Sequence, residues 1–115
     1  MIVDDAALMR MMIKKIITSC GYEVAGEAEN GQKALELYRE LKPDAAIVDI
    51  AMPEMNGIEV MKAIRRIDPK ANIVVCSAVV TKAAVEEAFR AGAKSFVAKP
   101  FRRDRLLQAL EQVLN

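Results

Sequence analysis

The stretch Ala45-Ala46-Ile47-Val48-Asp49-Ile50-Ala51-Met52-Pro53-Glu54-Met55-Asn56-Gly57 decides the fold. Small and apolar residues read as a buried strand, and one carboxylate, Asp49, stands where that strand stops. A Met52-Pro53 turn and a helical pattern starting at Gly57 follow. Burying an ionised carboxylate is costly unless something pairs with it, so Asp49 needs partners from elsewhere in the chain.

Outward from this stretch the same unit repeats. Met1-Ile2-Val3 reads as a strand and meets Asp4-Asp5 at once. Residues 6–20 read as a helix, with Leu8, Met11, Met12, Ile16 and Cys20 near one face and Arg10, Lys14 and Lys15 outward. Gly21 is a natural stop. Residues 23–28 read as a second strand. A helix over about 31–41 turns Ala34, Leu37, Tyr38 and Leu41 inward, and Lys42-Pro43-Asp44 breaks it. After the central strand, a helix at about 57–67 carries Ile58, Met61, Ile64 and Ile67 at three-residue steps. Residues 72–77 form a fourth strand, about 82–91 a fourth helix ended by Gly92, and 95–98 a fifth strand ending at Lys99-Pro100. The last helix spans about 103–114, with Leu106, Leu107, Leu110, Val113 and Leu114 inward. Strict alternation of apolar strands and amphipathic helices predicts an α/β fold with a parallel sheet covered on both faces, joined by right-handed crossovers.

The 115 residues suit one compact domain, 1–115, and the 53% hydrophobic fraction is ample for one core. No His is present, which excludes His-based relays and His-ligated metal sites. A metal would be held by oxygen, favouring Mg²⁺ or Mn²⁺. The net charge of +1 gives no electrostatic case for nucleic acid. Cys20 and Cys76 are far apart in sequence; reduced thiols, with Cys76 buried, and a cytoplasmic location are expected. No signal peptide and no membrane-length apolar run are visible.

Open parallel sheets bind ligands beyond the carboxyl ends of their strands. Those ends carry Asp4-Asp5, Asp49, Ser77 and Lys99. Three adjacent carboxylates repel, so a cation must join them or one must hold a proton. Lys99 offsets one charge, and a hard divalent ion with oxygen ligands would offset the rest. A carboxylate beside Mg²⁺ and a lysine can attack a phosphoryl donor, giving an acyl phosphate. Each residue taken alone has a plainer role: Asp4 or Asp5 as a helix cap, Asp49 in a turn, Ser77 as a polar strand end, Lys99 as a surface charge. The methionines are core filler, and Arg102, Arg103 and Arg105 a solvated face. The joint occurrence at successive strand ends favours a site.

With these residues in view, the chain resembles a response-regulator receiver domain. The matching residues are Val3-Asp4-Asp5, the run from Val48 to Gly57, Cys76-Ser77-Ala78, Gly92-Ala93 with Phe96, and Lys99-Pro100-Phe101. The run Asp-Asp-Ala-Ala-Leu-Met-Arg after the first strand is most similar to the single-domain chemotaxis regulators of that family. The resemblance implies a flavodoxin-like three-layer sandwich with strand order 2-1-3-4-5. It implies that Asp49 is the phospho-acceptor and that Asp5, Asp49 and the Ala51 carbonyl ligate Mg²⁺, with Mn²⁺ a substitute and Asp4 acting through water. Lys99 would pair with a phosphoryl oxygen and precede a cis bond to Pro100. Ser77 and Phe96 would form the switch, changing the face of the fourth helix, fifth strand and fifth helix. The implied partners are a CheA-like histidine kinase, a FliM-like flagellar motor switch protein and a phosphatase, with no nucleic acid and no membrane. The protein would assist only its own phosphorylation and dephosphorylation.

Three features depart from the family pattern. The first strand is short, which suggests a truncated or engineered N-terminus and leaves the second and third strands partly unpaired. A monomer is expected, with pairing between chains through that strand the alternative. The hydroxyl is Ser77 where Thr is frequent, and Ala51 and Val79 are apolar where the family flanks the phosphate. The competing readings are a receiver module regulating another protein or cut from a longer regulator, a small Mg²⁺-dependent phosphatase, and an interaction protein that keeps the fold without the chemistry. The phosphatase reading lacks a second acid two residues after Asp49 and room for a substrate cap.

Overall fold

The computed structural model describes residues 1–52 and 56–115; the Pro53 half of the expected Met52-Pro53 turn lies outside the described residues. Along the chain run β1 (Ile2–Val3), α1 (Ala7–Thr18), β2 (Glu27–Ala28), α2 (Gly31–Leu41), β3 (Ala46–Val48), α3 (Gly57–Ile67), β4 (Ile73–Ser77), α4 (Lys82–Arg90), β5 (Ser95–Ala98) and α5 (Arg103–Leu114). All pairings are parallel, in the order β2-β1-β3-β4-β5. This is the flavodoxin-like three-layer sandwich that the resemblance implied, built on the covered parallel sheet that the alternation predicted, with a first strand of two residues.

Strand alternation sorts the core into two layers. Val3, Ala46, Val48, Ile73 and Val75 face α2, α3 and α4, meeting Ala34, Tyr38, Ile58, Met61, Ile64 and Ala88. Ile2, Ile47, Val74, Cys76 and Val97 face α1 and α5, meeting Ile13, Ile17, Leu106 and Leu110. Both faces are thus apolar, as a parallel sheet under helices requires. The Tyr38 hydroxyl donates to Asp68 at 2.9 Å, tying α2 to the end of α3. Asn30, Asn56 and Thr81 cap α2, α3 and α4 by accepting from the backbone N–H three residues on.

Helix α1 corrects the sequence-based face. Leu8, Met11 and Met12 are exposed, and so is Cys20 beyond the helix, while Ile13 and Ile17 are buried with Met9 and Ile16 partly covered. The helix is apolar on most of its circumference, so three-residue steps fit several faces. The stripe Met9-Ile13-Ile16-Ile17 wins because its branched side chains fill the layer against Ile2, Ile47 and α5. The second strand is also shorter than the expected 23–28. Ile2 pairs with Glu27 and donates to the Gly26 carbonyl, and residues 23–25 have no β1 residue opposite them. A cavity of about 690 Å³ opens there, lined by Met1, Tyr22, Val24, Ala45 and Leu114, at the opposite end of the sheet from the strand-end carboxylates. Both cysteines are free, and Cys76 is buried, with burial pushing its thiol up to about 12.

Candidate functional site

The carboxyl ends of four strands converge as the topology requires. Asp4 follows β1, Asp49 follows β3, Ser77 ends β4 and Lys99 follows β5. Asp4, Asp49 and Ser77 are buried, whereas Asp5 is exposed. One carboxylate oxygen from each of Asp4, Asp5 and Asp49 lies within 4.8 Å of the others.

Lys99 Nζ reaches Asp4 Oδ2 at 2.8 Å and Asp49 Oδ2 at 3.5 Å, bridging the two buried acids. The other Asp4 oxygen accepts from the Ala6 N–H at 2.9 Å, and Asp49 Oδ1 accepts from the Ala51 N–H at 3.2 Å. Asp4 is therefore not the helix cap that a plainer reading allowed: the N-cap of α1 is Ala6, and Asp4 closes a short turn on the Ala6 N–H just before the helix while it faces the site. Asp5 has no side-chain partner among the described residues. Burial raises the Asp49 carboxyl above the usual range; the Lys99 charge pulls it back, and Asp4 pushes it up again. Burial alone would lower the Lys99 ammonium, but its hydrogen bond to Asp4 and the charge of Asp49 outweigh that and raise it.

Ser77 Oγ accepts from the Val79 N–H at 3.1 Å and donates to no group among the described residues. Val48 pairs with Val75, so Ser77 lies one position farther along β4 than Asp49 does beyond β3. Phe96 sits opposite Val75 on β5, partly buried against the layer under α2, α3 and α4. The Lys99–Pro100 peptide is cis, as the resemblance implied. Gly57 holds the turn after β3 closed: its N–H donates to the Ile50 carbonyl at 2.8 Å, and a Cβ there would press on the Asp49 carbonyl and Ile50 Cα.

Arg10 is the site residue that periodicity misplaced. It was expected to face solvent, yet its side chain is only 16% exposed. Its Nη1 donates to the Asp4 carbonyl at 2.6 Å and its Nε lies 3.6 Å from Glu27 Oε1. A backbone carbonyl as acceptor leaves no trace in sequence spacing, so the only available signal was an arginine one turn into a helix that begins beside two acids.

Comparison with known proteins agrees with this geometry. The family model for the response regulator receiver domain matches residues 1–111, and the chain belongs to that family. It is a CheY-like response-regulator receiver, a class of signalling protein in two-component systems and chemotaxis. The chain is 60% identical to chemotaxis protein CheY of Thermotoga maritima over 98% of this chain and 94% of that one. Against CheY of Bacillus subtilis the identity is 52%, over 100% of this chain and 96% of that one. Among solved structures, the CheX–CheY–BeF₃–Mg²⁺ complex of Borrelia burgdorferi contains a similar chain, with TM-score 0.95 and 32% identity, covering 99% of this chain and 87% of that one.

Proposed function

We propose that residues 1–115 form a single receiver that accepts a phosphoryl group on Asp49 and relays a chemotaxis signal by changing what it binds. The observation that carries this reading is the bridge of Lys99 between Asp4 and Asp49, beside a third acid, Asp5, that has no side-chain partner among the described residues. Three hard oxygen donors within 4.8 Å and one ammonium leave excess negative charge, which suits a small divalent cation better than any softer ion. Asp5, Asp49 and the Ala51 carbonyl would hold Mg²⁺ (or Mn²⁺), with Asp4 acting through water. When bound, the ion supplies charge neutralisation to the transferring phosphoryl oxygens. The solved CheY relative from Borrelia burgdorferi carries Mg²⁺ and BeF₃, which supports the same assignment here.

An Asp49 carboxylate oxygen attacks phosphorus as the bond from phosphorus to the donor's leaving atom breaks, and the leaving group departs with that electron pair. With a histidine kinase of the CheA type the leaving atom is an imidazole nitrogen. Lys99 pairs with a phosphoryl oxygen, and Ser77, whose hydroxyl donates to no group among the described residues, donates to another. The new group adds about −1.5 to −2 charges. Two charge-assisted contacts of about 1.5–3 kcal/mol each suffice to move a two-state equilibrium by the required few kcal/mol. Phe96 would turn inward as Ser77 moves, changing the α4, β5 and α5 face; Phe89 on α4 is exposed, as are Val79 and Val80 in the loop leading into α4. A FliM-like motor protein is the target this face would serve. CheX, seen with the Borrelia burgdorferi CheY, supports a further partner. Among the described residues no helix is long and apolar enough to cross a membrane, in keeping with a cytoplasmic relay.

Intact mass after incubation with acetyl phosphate tests the assignment. The native protein gains one phosphoryl adduct with Mg²⁺ and none with chelator, and Asp49→Asn gains none. An adduct on Asp49→Asn refutes the acceptor, and multiple turnover of a phosphomonoester would establish the phosphatase reading instead.

A further inference from the structure

We infer that Arg10 is a positioning residue for the metal pocket, acting through the peptide that joins Asp4 to Asp5. The inference rests on the Mg²⁺ reading above and concerns what holds the ligands in place.

Asp4 is fixed at every polar atom. Its N–H donates to the Ala28 carbonyl at 3.1 Å, its two carboxylate oxygens are taken by Ala6 and Lys99, and its carbonyl accepts from Arg10. Asp5 is fixed at none of its side-chain atoms among the described residues, yet one of its oxygens lies within the 4.8 Å cluster. Its direction is therefore set by its backbone. The peptide plane that carries the Asp4 carbonyl also carries the Asp5 N–H, so holding that carbonyl holds the plane from which the Asp5 side chain departs.

β1 has ended at this point, and no backbone N–H among the described residues donates to that carbonyl. The N-cap of α1, Ala6, has no side chain able to hold it either. Arg10 fills the gap from one turn inside α1. Its guanidinium fork spans the Asp4 carbonyl and Glu27, and Glu27 also receives Lys14 at 3.5 Å. The peptide is thus tied to the end of β2 as well as to α1. A guanidinium can hold both contacts at once, whereas an ammonium is a point charge on a flexible stem.

Positioning and charge make opposite predictions. Arg10 is a cation close to a site for a cation, so if charge were its only effect, removing it would tighten metal binding. If it positions Asp5, removing it weakens binding, and does so selectively. Mg²⁺ demands near-ideal octahedral geometry, whereas Ca²⁺ accepts irregular oxygen cages. A slackened Asp5 therefore costs Mg²⁺ more than Ca²⁺. Partners that orient metal ligands are typically worth about 10–100-fold in affinity.

The test is calorimetric titration of the native protein, Arg10→Met and Arg10→Lys with Mg²⁺ and separately with Ca²⁺, in the absence of any phosphoryl donor. Arg10→Met is expected to weaken Mg²⁺ binding about tenfold and Ca²⁺ binding less than about threefold, with Arg10→Lys between it and the native protein. Equal or tighter Mg²⁺ binding by Arg10→Met overturns the inference, as does an equal loss for both ions. Should Arg10→Met fail to fold, the Mg²⁺ to Ca²⁺ ratio of Arg10→Lys decides by the same criterion. A native protein that takes up no Mg²⁺ refutes the metal reading itself and this inference with it, an outcome told apart because it needs no variant.

Discussion

Asp49→Asn should make the metal-free protein more stable. The substitution keeps the shape of the side chain and the oxygen that accepts from Ala51, and removes one buried charge. At no more than 4.8 Å from Asp4, and with an effective dielectric of about 20, the like-charge repulsion is about 3.5 kcal/mol or more. Asp5 adds about 1 kcal/mol, reduced because water screens an exposed carboxylate. Against these, Lys99 at 3.5 Å attracts Asp49 by about 4.7 kcal/mol on the same scale. The Coulomb contributions nearly cancel, so the cost of taking the carboxylate out of water decides the sign. The raised Asp49 pKa, with burial as its largest cause, points the same way. The expected gain is about 1–2 kcal/mol, or roughly 4–8 °C in melting temperature for a domain of this size.

Thermal melts by circular dichroism in chelated, low-salt buffer at pH 7 measure this directly. The sign of the pH dependence follows from the same shift. A carboxyl raised on folding holds its proton more tightly in the native state. The ionised group therefore costs stability above its folded pKa, and that cost disappears as pH falls below its unfolded value. The advantage of Asp49→Asn should be full at neutral pH and close in acid. Mg²⁺ at about 100 times its dissociation constant would add about 2.7 kcal/mol to the native protein and reverse the order. An Asp49→Asn protein that melts at or below the native temperature in chelator would refute the reasoning, because the Lys99 attraction would then exceed the burial cost.

Two further perturbations probe the same region. Lys99→Met leaves Asp4 and Asp49 buried without their ammonium, and is expected to lower stability by about 3 kcal/mol in chelator while tightening Mg²⁺ binding, read by urea midpoints and calorimetry. Gly57→Ala drives a methyl group into the Asp49 carbonyl and Ile50 Cα and should cost about 3 kcal/mol, so a urea midpoint that barely moves would show that the turn after β3 is not held closed.

Much of this was legible before the structure. Apolar strands ending in Asp4, Asp49, Ser77 and Lys99 can be read from the pattern of apolar runs along the chain, and parallel topology forces such ends to one edge. The strand order itself came from the resemblance. Helix α1 was misread because Leu8, Met11 and Met12 satisfy a helical period as well as Met9, Ile13 and Ile17 do, and only the shape of the layer against Ile2 and Ile47 chooses between them. The brevity of β2 was hidden because its length depends on pairing with β1, a property of two segments rather than one. Arg10 was hidden because its partner is a main-chain oxygen.

The charges at the strand ends explain why one lysine and one metal ion belong to the same proposal. Asp4, Asp5 and Asp49 bring three negative charges and Lys99 one positive, so the metal-free site stands at about −2. A divalent ion brings it to neutrality. Converting the Asp49 carboxylate to the proposed acyl phosphate would then exchange one charge for about −1.5 to −2, a change more easily accommodated with the ion's charge present than without it. Lys99 sits closer to Asp4 than to Asp49, at 2.8 against 3.5 Å. With Asp5, Asp49 and the Ala51 carbonyl holding an ion, as proposed, Asp4 would hold that ammonium less strongly and Lys99 would be free to pair with a phosphoryl oxygen. Ser77 would need no such release, because it accepts from Val79 and donates to no group among the described residues. Under the proposed function the order would be metal first, then the phosphoryl group with Lys99, then Ser77, so that Ser77 would respond to the phosphoryl oxygens rather than to the ion.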